Sequence, residues 1–129
     1  RRTHFRSREE AYEYFKSKPL FRNFHKQCFL DYLTYGLEKS PKETRGFDLS
    51  FSANVEYDIF RYTPSIIRNI NLQVPAYFVY ATSGEVLQQS DIDWITQTFP
   101  SMESYPFNGG HLFPFEQPKA TAGIINYLL

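Results

Sequence analysis

The sequence is poor in the features that mark several large classes of protein. Cys28 is the only cysteine among 129 residues, which excludes a disulfide within the chain and a cysteine-based metal cluster. The 14 basic and 14 acidic side chains balance to a formal net charge of zero, so nothing indicates the clustered positive surface that nucleic-acid binding needs. We therefore expect no cofactor, no metal site and no nucleic-acid partner.

Long apolar runs are also absent. None approaches the roughly 20 residues of a membrane-spanning helix, and the first residues lack a signal-peptide pattern. The chain opens at Arg1 rather than at a methionine, which suggests a fragment or a processed product. The length is that of one small domain, and the single cysteine favours the reducing cytoplasm.

What the sequence does contain is an unusual amount of aromatic residues. Aromatics make up 19% of the chain, with 13 Phe and 10 Tyr. A body of this size cannot bury them all without a large core or a partner. We therefore expect either dense aromatic packing or an apolar surface that another chain covers.

The last 56 residues have an alternating strand and helix pattern. Residues 76–82 form a continuous apolar and aromatic run, which predicts a strand covered on both faces. Ser90, three residues before Asp93, predicts the start of a helix. Residues 102–107 predict a second strand. A last helix is expected to open at Phe115 or Glu116, with Pro118 in its first turn.

Strand, helix, strand and helix in this order imply a right-handed parallel crossover in an α/β sheet. Ligands bind such sheets beyond the carboxyl ends of the strands. His111 follows the second predicted strand, just after a loop at Asn108, Gly109 and Gly110. Its ring is a candidate proton shuttle near neutral pH. Alternatively, it is a loop histidine that only hydrogen-bonds a backbone group.

The first half of the chain predicts mostly helices. Residues 7–16 open with a capping box of the S-x-x-E type, and residues 23–37 have a wide apolar stripe at helical spacing. Residues 47–52 alternate between apolar and polar, which predicts a short exposed strand. Residues 54–62 predict a short third helix.

A sheet of two strands is not stable by itself, because three strands or a covering helix layer are required. The edge of the first predicted strand must therefore pair with something. Its partner is either a set of strands that precede Arg1 or a second copy of the chain.

Several segments together resemble the α/β-hydrolase fold family. Residues 5–15, 19–21 and 31–37 resemble the helical cap of these enzymes. Residues 74–80, with a Val-Pro lead into apolar residues, resemble the penultimate strand. Residues 109–118 resemble the catalytic-histidine loop with the Glu-x-Pro that opens the last helix.

The resemblance implies an α/β fold class, and specifically the C-terminal part of an α/β-hydrolase. Residues 1–72 would be the helical cap and a connector. Residues 73–129 would be the last two parallel strands and their helices. The implied activity is that of an esterase- or lipase-like serine hydrolase, in which a histidine activates the nucleophile and a carboxylate holds the histidine ring. His111 matches the position of that histidine.

The rest of the machinery is not found in this sequence. None of the ten serines lies in a G-x-S-x-G motif, and no H-G-G oxyanion segment is present. The resemblance therefore places the nucleophile before Arg1, in a missing N-terminal half or a companion chain, and implies that this chain alone is inactive. The implied substrate is a small apolar, ester-like compound.

The acid that would orient the histidine ring has one candidate. Glu85 lies nearest to the position where many family members place it, displaced by one residue. Alternatively, Glu85 is a solvated glutamate that leads into a helix. The true acid would then lie upstream of Arg1. His4 and His25 have no partner at metal-ligand spacing and are interpreted as surface or hydrogen-bonded histidines, not as part of a metal site.

A second function class is also open. The chain could be a non-catalytic binding or interaction module that keeps the same scaffold, since a neutral, aromatic-rich surface suits a protein partner or an apolar ligand. A G-x-S-x-G motif upstream of Arg1 would favour the enzyme, and a start codon near Arg1 would favour the module.

Overall fold

The computed structural model describes residues 2–41, 45–62, 72–84 and 86–129. The chain falls into two compact units, Arg1–Pro64 and Ser65–Leu129. The predicted boundary after residue 72 stays a prediction.

None of the helices in the described part of the chain has both the length and the apolar character that crossing a bilayer requires.

The first unit contains three helices and three short strands. Their bounds in chain order are β1 His4–Phe5, α1 Arg8–Lys16, α2 Lys26–Tyr35, β2 Leu37–Lys39, β3 Phe47–Leu49 and α3 Ala53–Arg61, with a 3₁₀ turn at Pro19–Phe21 between α1 and α2. The three predicted helices are therefore present, although α2 begins three residues later than residue 23.

The start of α1 follows from its cap. The Ser7 hydroxyl accepts a hydrogen bond from the Glu10 N–H at 3.2 Å, as the capping box predicts. The Glu10 carboxylate does not turn back to the Ser7 N–H. It accepts from the Arg6 N–H and from the Arg2 guanidinium, each at 2.6 Å, and so ties α1 to the chain segment before it.

The three short strands form an antiparallel sheet in the order β1-β3-β2. The prediction of a mostly helical first half missed β1 and β2. The strand predicted within residues 47–52 is present as β3, but the prediction that it is exposed was wrong, because β3 is the central strand and Leu49 is buried. Strands of two or three residues have too short a pattern to be detected in sequence, since their pairing depends on contacts distant along the chain.

The core of the first unit lies between this sheet and helices α1 and α2. It is formed by Phe5, Ala11, Phe15, Phe21, Phe29, Leu33, Leu37 and Leu49. Phe5 is fully buried, and its ring centroid lies 5.4 Å from that of Phe15. Much of the aromatic excess is therefore used in packing rings at the tilted and edge-on angles that such rings prefer.

The second unit has the predicted alternation. Its elements are β4 Tyr77–Ala81, α4 Gln89–Thr98, β5 Glu103–Phe107, α5 Phe113–Glu116 and α6 Pro118–Leu128. Strands β4 and β5 are parallel, in a register that runs from the pair Tyr77 and Glu103 to the pair Ala81 and Phe107. The parallel strand–helix–strand unit expected from the sequence is therefore confirmed.

Two local predictions in this unit were wrong. The cap of α4 is not Ser90, which lies inside the first turn. Instead, the Gln88 N–H donates to the Asp91 carboxylate at 2.8 Å, and the helix begins at Gln89. Strand β4 is not covered on both faces either, since Tyr77 is 37% exposed and its other residues are half-buried. In the described part of the chain, β5 is the only strand that pairs with β4.

The last helix was also expected to be continuous from Phe115 or Glu116. It is divided into α5 and α6 at Gln117, which has φ −130° and ψ 60°. Pro118 lacks the N–H that a continuous helix would use, and its ring disfavours the helical conformation in the residue before it. Pro118 is in the first turn of α6, as predicted.

Candidate active site

Hydrogen bonds connect the two loops that follow the parallel strands. The Thr82 N–H donates to the Phe107 carbonyl at 2.9 Å, and the Ser83 N–H donates to the Gly109 carbonyl at 3.0 Å. These bonds continue the ladder past the ends of β4 and β5. The loop at residues 82–84 therefore lies beside the loop at residues 108–112, which carries His111.

Gly84 is in direct contact with the histidine loop. Its φ of +145° is a backbone conformation that residues with a side chain rarely adopt. A Cβ atom added to Gly84 would lie 3.6 Å from the His111 backbone nitrogen. A glycine at this position therefore lets the first loop take the path that brings it against His111.

The His111 side chain is exposed and lines a cavity of about 180 Å³. The other described residues of the wall are mainly apolar: Val79, Tyr80, Ala81, Ser83, Gly84, Val86, Leu87 and Phe113. The cavity lies at the carboxyl ends of β4 and β5, which is where open α/β sheets bind ligands. The sequence predicted this position for His111 in the fold, and its catalytic role stays a prediction.

The second predicted site residue, Glu85, lies outside the described residues, so its role stays a prediction. Another carboxylate contacts the histidine loop and was missed. The Gly110 N–H donates to Glu116 Oε2 at 3.3 Å. The adjacent Gln117 donates from Nε2 to the Asn108 carbonyl at 3.0 Å. The Glu-x-Pro pattern after His111 was the available signal, but it was interpreted only as a helix start.

The backbone of β5 indicates that this strand lies at an edge of the sheet. The Glu103 N–H donates to the Ala76 carbonyl, and the Phe107 carbonyl accepts from the Thr82 N–H, so alternate residues of β5 face β4. Pro106 therefore faces the opposite side, where it has no N–H to offer. Proline inside a strand is found at such outer edges.

The outer edge of β4 is different. By the same alternation, the N–H and C=O groups of Tyr77, Val79 and Ala81 face away from β5. None of these residues is proline, and the described part of the chain places no strand beside them. A larger sheet would therefore extend from β4 and not from β5.

The other two histidines form local contacts. His4 Nδ1 lies 2.7 Å from Asp48 Oδ1, and the Ser40 hydroxyl donates to Asp48 Oδ2 at 2.7 Å. The partner of His4 was not identified from the sequence, because it is the pairing of β1 with β3 that brings Asp48 to it from 44 residues away. His25 Nδ1 accepts from the Gln27 N–H at the start of α2. Among the described residues, no group of three His, Cys, Asp or Glu side chains is arranged to hold a metal ion.

Comparison with solved structures shows what fold the chain has. It matches a marine microorganism esterase with a TM-score of 0.64 and 21% identity, over 95% of this chain and 46% of that one. It matches a thioesterase domain from the curacin biosynthetic pathway with a TM-score of 0.68 and 17% identity, over 97% and 44%. It matches the peroxisomal alpha-beta-hydrolase Lpx1 from Saccharomyces cerevisiae with a TM-score of 0.70 and 13% identity, over 98% and 35%.

Sequence comparison adds nothing to this, since no family model and no curated protein matches the chain. The chain spans 35–46% of the length of the three solved chains. The chain therefore has part of the α/β-hydrolase fold. The fold class predicted from the sequence is thereby confirmed.

Proposed function

We propose that this chain is the C-terminal portion of an esterase- or thioesterase-like hydrolase in which His111 is the general base. The observation that carries the proposal is the position of His111. His111 lines a mainly apolar cavity at the carboxyl ends of two parallel strands. Its loop is hydrogen-bonded to the loop at residues 82–84. Histidine at such a site can both take up and return a proton near neutral pH.

The chemistry would follow the usual course of acyl transfer. The His111 ring would take the proton from a hydroxyl nucleophile as the hydroxyl oxygen forms a bond to the acyl carbon. It would then give that proton to the leaving group as the original ester or thioester bond breaks. Val79, Val86 and Leu87 in the cavity wall favour a small apolar acyl group.

Glu85 is our candidate for the carboxylate that orients the His111 ring. The support is its place in the chain, directly after Gly84, whose backbone lies against the His111 backbone. A buried or partly buried carboxylate in this role holds the correct tautomer and stabilises the imidazolium as it forms.

The nucleophile and the oxyanion hole belong, in our proposal, to a segment outside this chain. Three observations support this. No serine lies in a G-x-S-x-G motif, the three similar structures are more than twice as long, and the backbone groups on the outer edge of β4 are suited to a further strand. We therefore expect the isolated chain to have no hydrolase activity. The single Cys28 supports a cytoplasmic location.

The test is steady-state hydrolysis of p-nitrophenyl butyrate by the longer protein that contains this segment. His111→Gln should lower kcat by about 10²–10⁴-fold, the usual contribution of a general base. Glu85→Gln should lower kcat by about 100-fold or more, and an upstream acid would leave it unchanged. His25→Gln is the matched control and should have the activity of the wild type.

Full activity of His111→Gln would contradict the proposal. If the longer protein has no esterase or thioesterase activity and no serine in a nucleophile elbow, the non-catalytic binding module is favoured instead. The appropriate measurement would then be calorimetry of the binding of apolar acyl compounds to that protein.

A further inference from the structure

The loop that carries His111 is held by two neighbouring side chains. We propose that Glu116 and Gln117 are positioning residues that set the location of His111 by clamping the loop at two points, Gly110 and Asn108. The catalytic part of this inference rests on the function proposed above. The structural part concerns this chain alone and can be tested without any activity.

The first half of the clamp fixes Gly110, the residue directly before His111. Its N–H donates to Glu116 Oε2 at 3.3 Å, and its carbonyl accepts from the Phe113 N–H at 2.9 Å. Both peptide groups that flank Gly110 are therefore bound. Because the second of these groups ends at the His111 nitrogen, fixing it restricts where the His111 backbone can lie.

The second half of the clamp has the opposite polarity. Gln117 donates from Nε2 to the Asn108 carbonyl at 3.0 Å. Glu116 thus supplies an acceptor and Gln117 a donor, at positions two residues apart in the loop. Gln117 is also the residue at which α5 and α6 are divided, so its non-helical backbone is part of this arrangement.

The two glycines of the loop fit this interpretation. Neither Gly109 nor Gly110 has a positive φ, so the backbone conformation does not require glycine. Space does. A Cβ at Gly110 would lie 3.1 Å from both carboxylate oxygens of Glu116, and a Cβ at Gly109 would lie 2.9 Å from Gln117 Nε2. The glycine pair allows the two clamping side chains to reach the backbone.

The clamp is anchored to the sheet. The rings of Phe107, at the end of β5, and Phe113, at the start of α5, stack with their centroids 4.3 Å apart and their planes at 20°. This contact holds α5 beside the end of the strand. Movement of Glu116 relative to the sheet is therefore restricted, and this restricts the loop that Glu116 contacts.

The first experiment measures amide hydrogen exchange at Gly110 by NMR on this chain. Removing a hydrogen bond to a charged group should raise exchange at Gly110 by about tenfold in Glu116→Ala. Glu116→Gln keeps an acceptor oxygen and should restore most of the protection. Gly110→Ala, which pushes the carboxylate away, should raise exchange at residue 110 even if Glu116→Ala fails to fold. Lys119→Ala, exposed in the first turn of α6, is the control and should exchange like the wild type.

The second experiment measures kcat and KM in the longer protein. Glu116→Ala should lower kcat by about tenfold with KM little changed, and Glu116→Gln should recover most of the loss. Unchanged exchange at Gly110 in Glu116→Ala overturns the clamp whatever the function is. Faster exchange with an unchanged kcat overturns the positioning role, while a dead His111→Gln variant in the same assay keeps the proposed function intact.

Discussion

The backbone N–H of Ser83 donates a hydrogen bond to the carbonyl of Gly109, with 3.0 Å between nitrogen and oxygen. This bond lies beyond the ends of β4 and β5 and joins the loop after one strand to the loop after the other. It has a structural consequence, because the two loops contribute Gly84 and His111 to opposite sides of one contact. The position of His111 therefore depends on a loop that lies far earlier in the chain.

Gly84→Ala should destabilise the second unit. At φ +145° an alanine costs about 1–3 kcal/mol of backbone strain, although the added methyl group itself has room against His111. We expect the free energy of unfolding to fall by this amount in urea titrations, and the His111 amide signal to shift in NMR spectra. An unchanged free energy of unfolding would show that the loop relaxes without strain.

Gly123→Ala is the matched substitution with the opposite sign. Gly123 lies inside α6, and an added Cβ would meet nothing within 4 Å. Replacing glycine by alanine in a helix interior stabilises by about 0.5–1 kcal/mol. The same urea titration should therefore detect a gain. A loss of stability would indicate that this face of α6 is covered by other residues.

The phenol of Tyr105 should titrate late. Its hydroxyl donates to Glu103 Oε2 at 2.6 Å, and this hydrogen bond to a carboxylate raises the pKa of Tyr105 to about 12. Because the pKa in the folded state is raised, the stabilisation is complete below the ordinary tyrosine pKa near 10 and is lost as pH rises toward 12. Glu103→Gln should bring the pKa back toward its ordinary value.

The measurement for Tyr105 is NMR titration of ring-labelled tyrosine, with Tyr105→Phe to identify the signal. If the pKa of Tyr105 is the same in the wild type and in the Glu103→Gln variant, the carboxylate is not the cause of the shift. Thermal unfolding across the same pH range should show a slightly larger loss of stability in the wild type than in Tyr105→Phe, because the other nine tyrosines are present in both.

Arg8 should stabilise the first unit from the end of α2. Its guanidinium donates to the Leu33 carbonyl at 2.8 Å and to the Leu37 carbonyl at 3.3 Å, and it lies 4.8 Å from the centre of the Phe47 ring. Carbonyls at the end of a helix have no partner within the helix. Arg8→Ala should lower the free energy of unfolding by about 1 kcal/mol, with a smaller loss for Arg8→Lys, which keeps the charge but not the fork.

The control for Arg8 is Arg22→Ala, which removes an exposed guanidinium from the same unit. Its urea midpoint should match that of the wild type. Equal effects of the two substitutions would mean that general charge, and not the contacts at the end of α2, determines the result.

The outer edge of β4 should become protected when the chain is part of a larger sheet. The amides of Val79 and Ala81 face away from β5, whereas that of Ser104 faces the opposite edge beside Pro106. In the longer protein, hydrogen exchange at Val79 and Ala81 should slow by about 100-fold or more relative to this chain, because ladder hydrogen bonds open only with the larger structure. Ser104 is the internal control and should change little. Protection of Ser104 in place of Val79 would reverse the predicted direction of growth.

Local signals in the sequence predicted much of this structure. Ser7 identified the start of α1, and the apolar runs at residues 76–82 and 102–107 identified β4 and β5. Their parallel order followed from the helix between them, and it placed His111 at the end of the sheet. In each case a pattern of several residues carried the information, and the structure confirms the elements.

The features that were missed depend on contacts distant along the chain. Strands β1 and β2 are two and three residues long and exist because β3 lies between them. The partnership of His4 with Asp48 follows from that pairing. The contact of Glu116 with Gly110 was missed, because the Glu-x-Pro pattern was interpreted only as the start of a helix. Of the two predicted site residues, the structure describes His111 only.

The most direct test of the hydrolase proposal is labelling by a fluorophosphonate probe, with mass spectrometry to locate the modified residue. The account predicts that this chain alone is not labelled at any of its ten serines. The longer protein should be labelled at one serine outside this chain, and His111→Gln should slow that labelling strongly. Labelling of a serine within residues 1–129, or labelling of the longer protein that does not depend on His111, would contradict it.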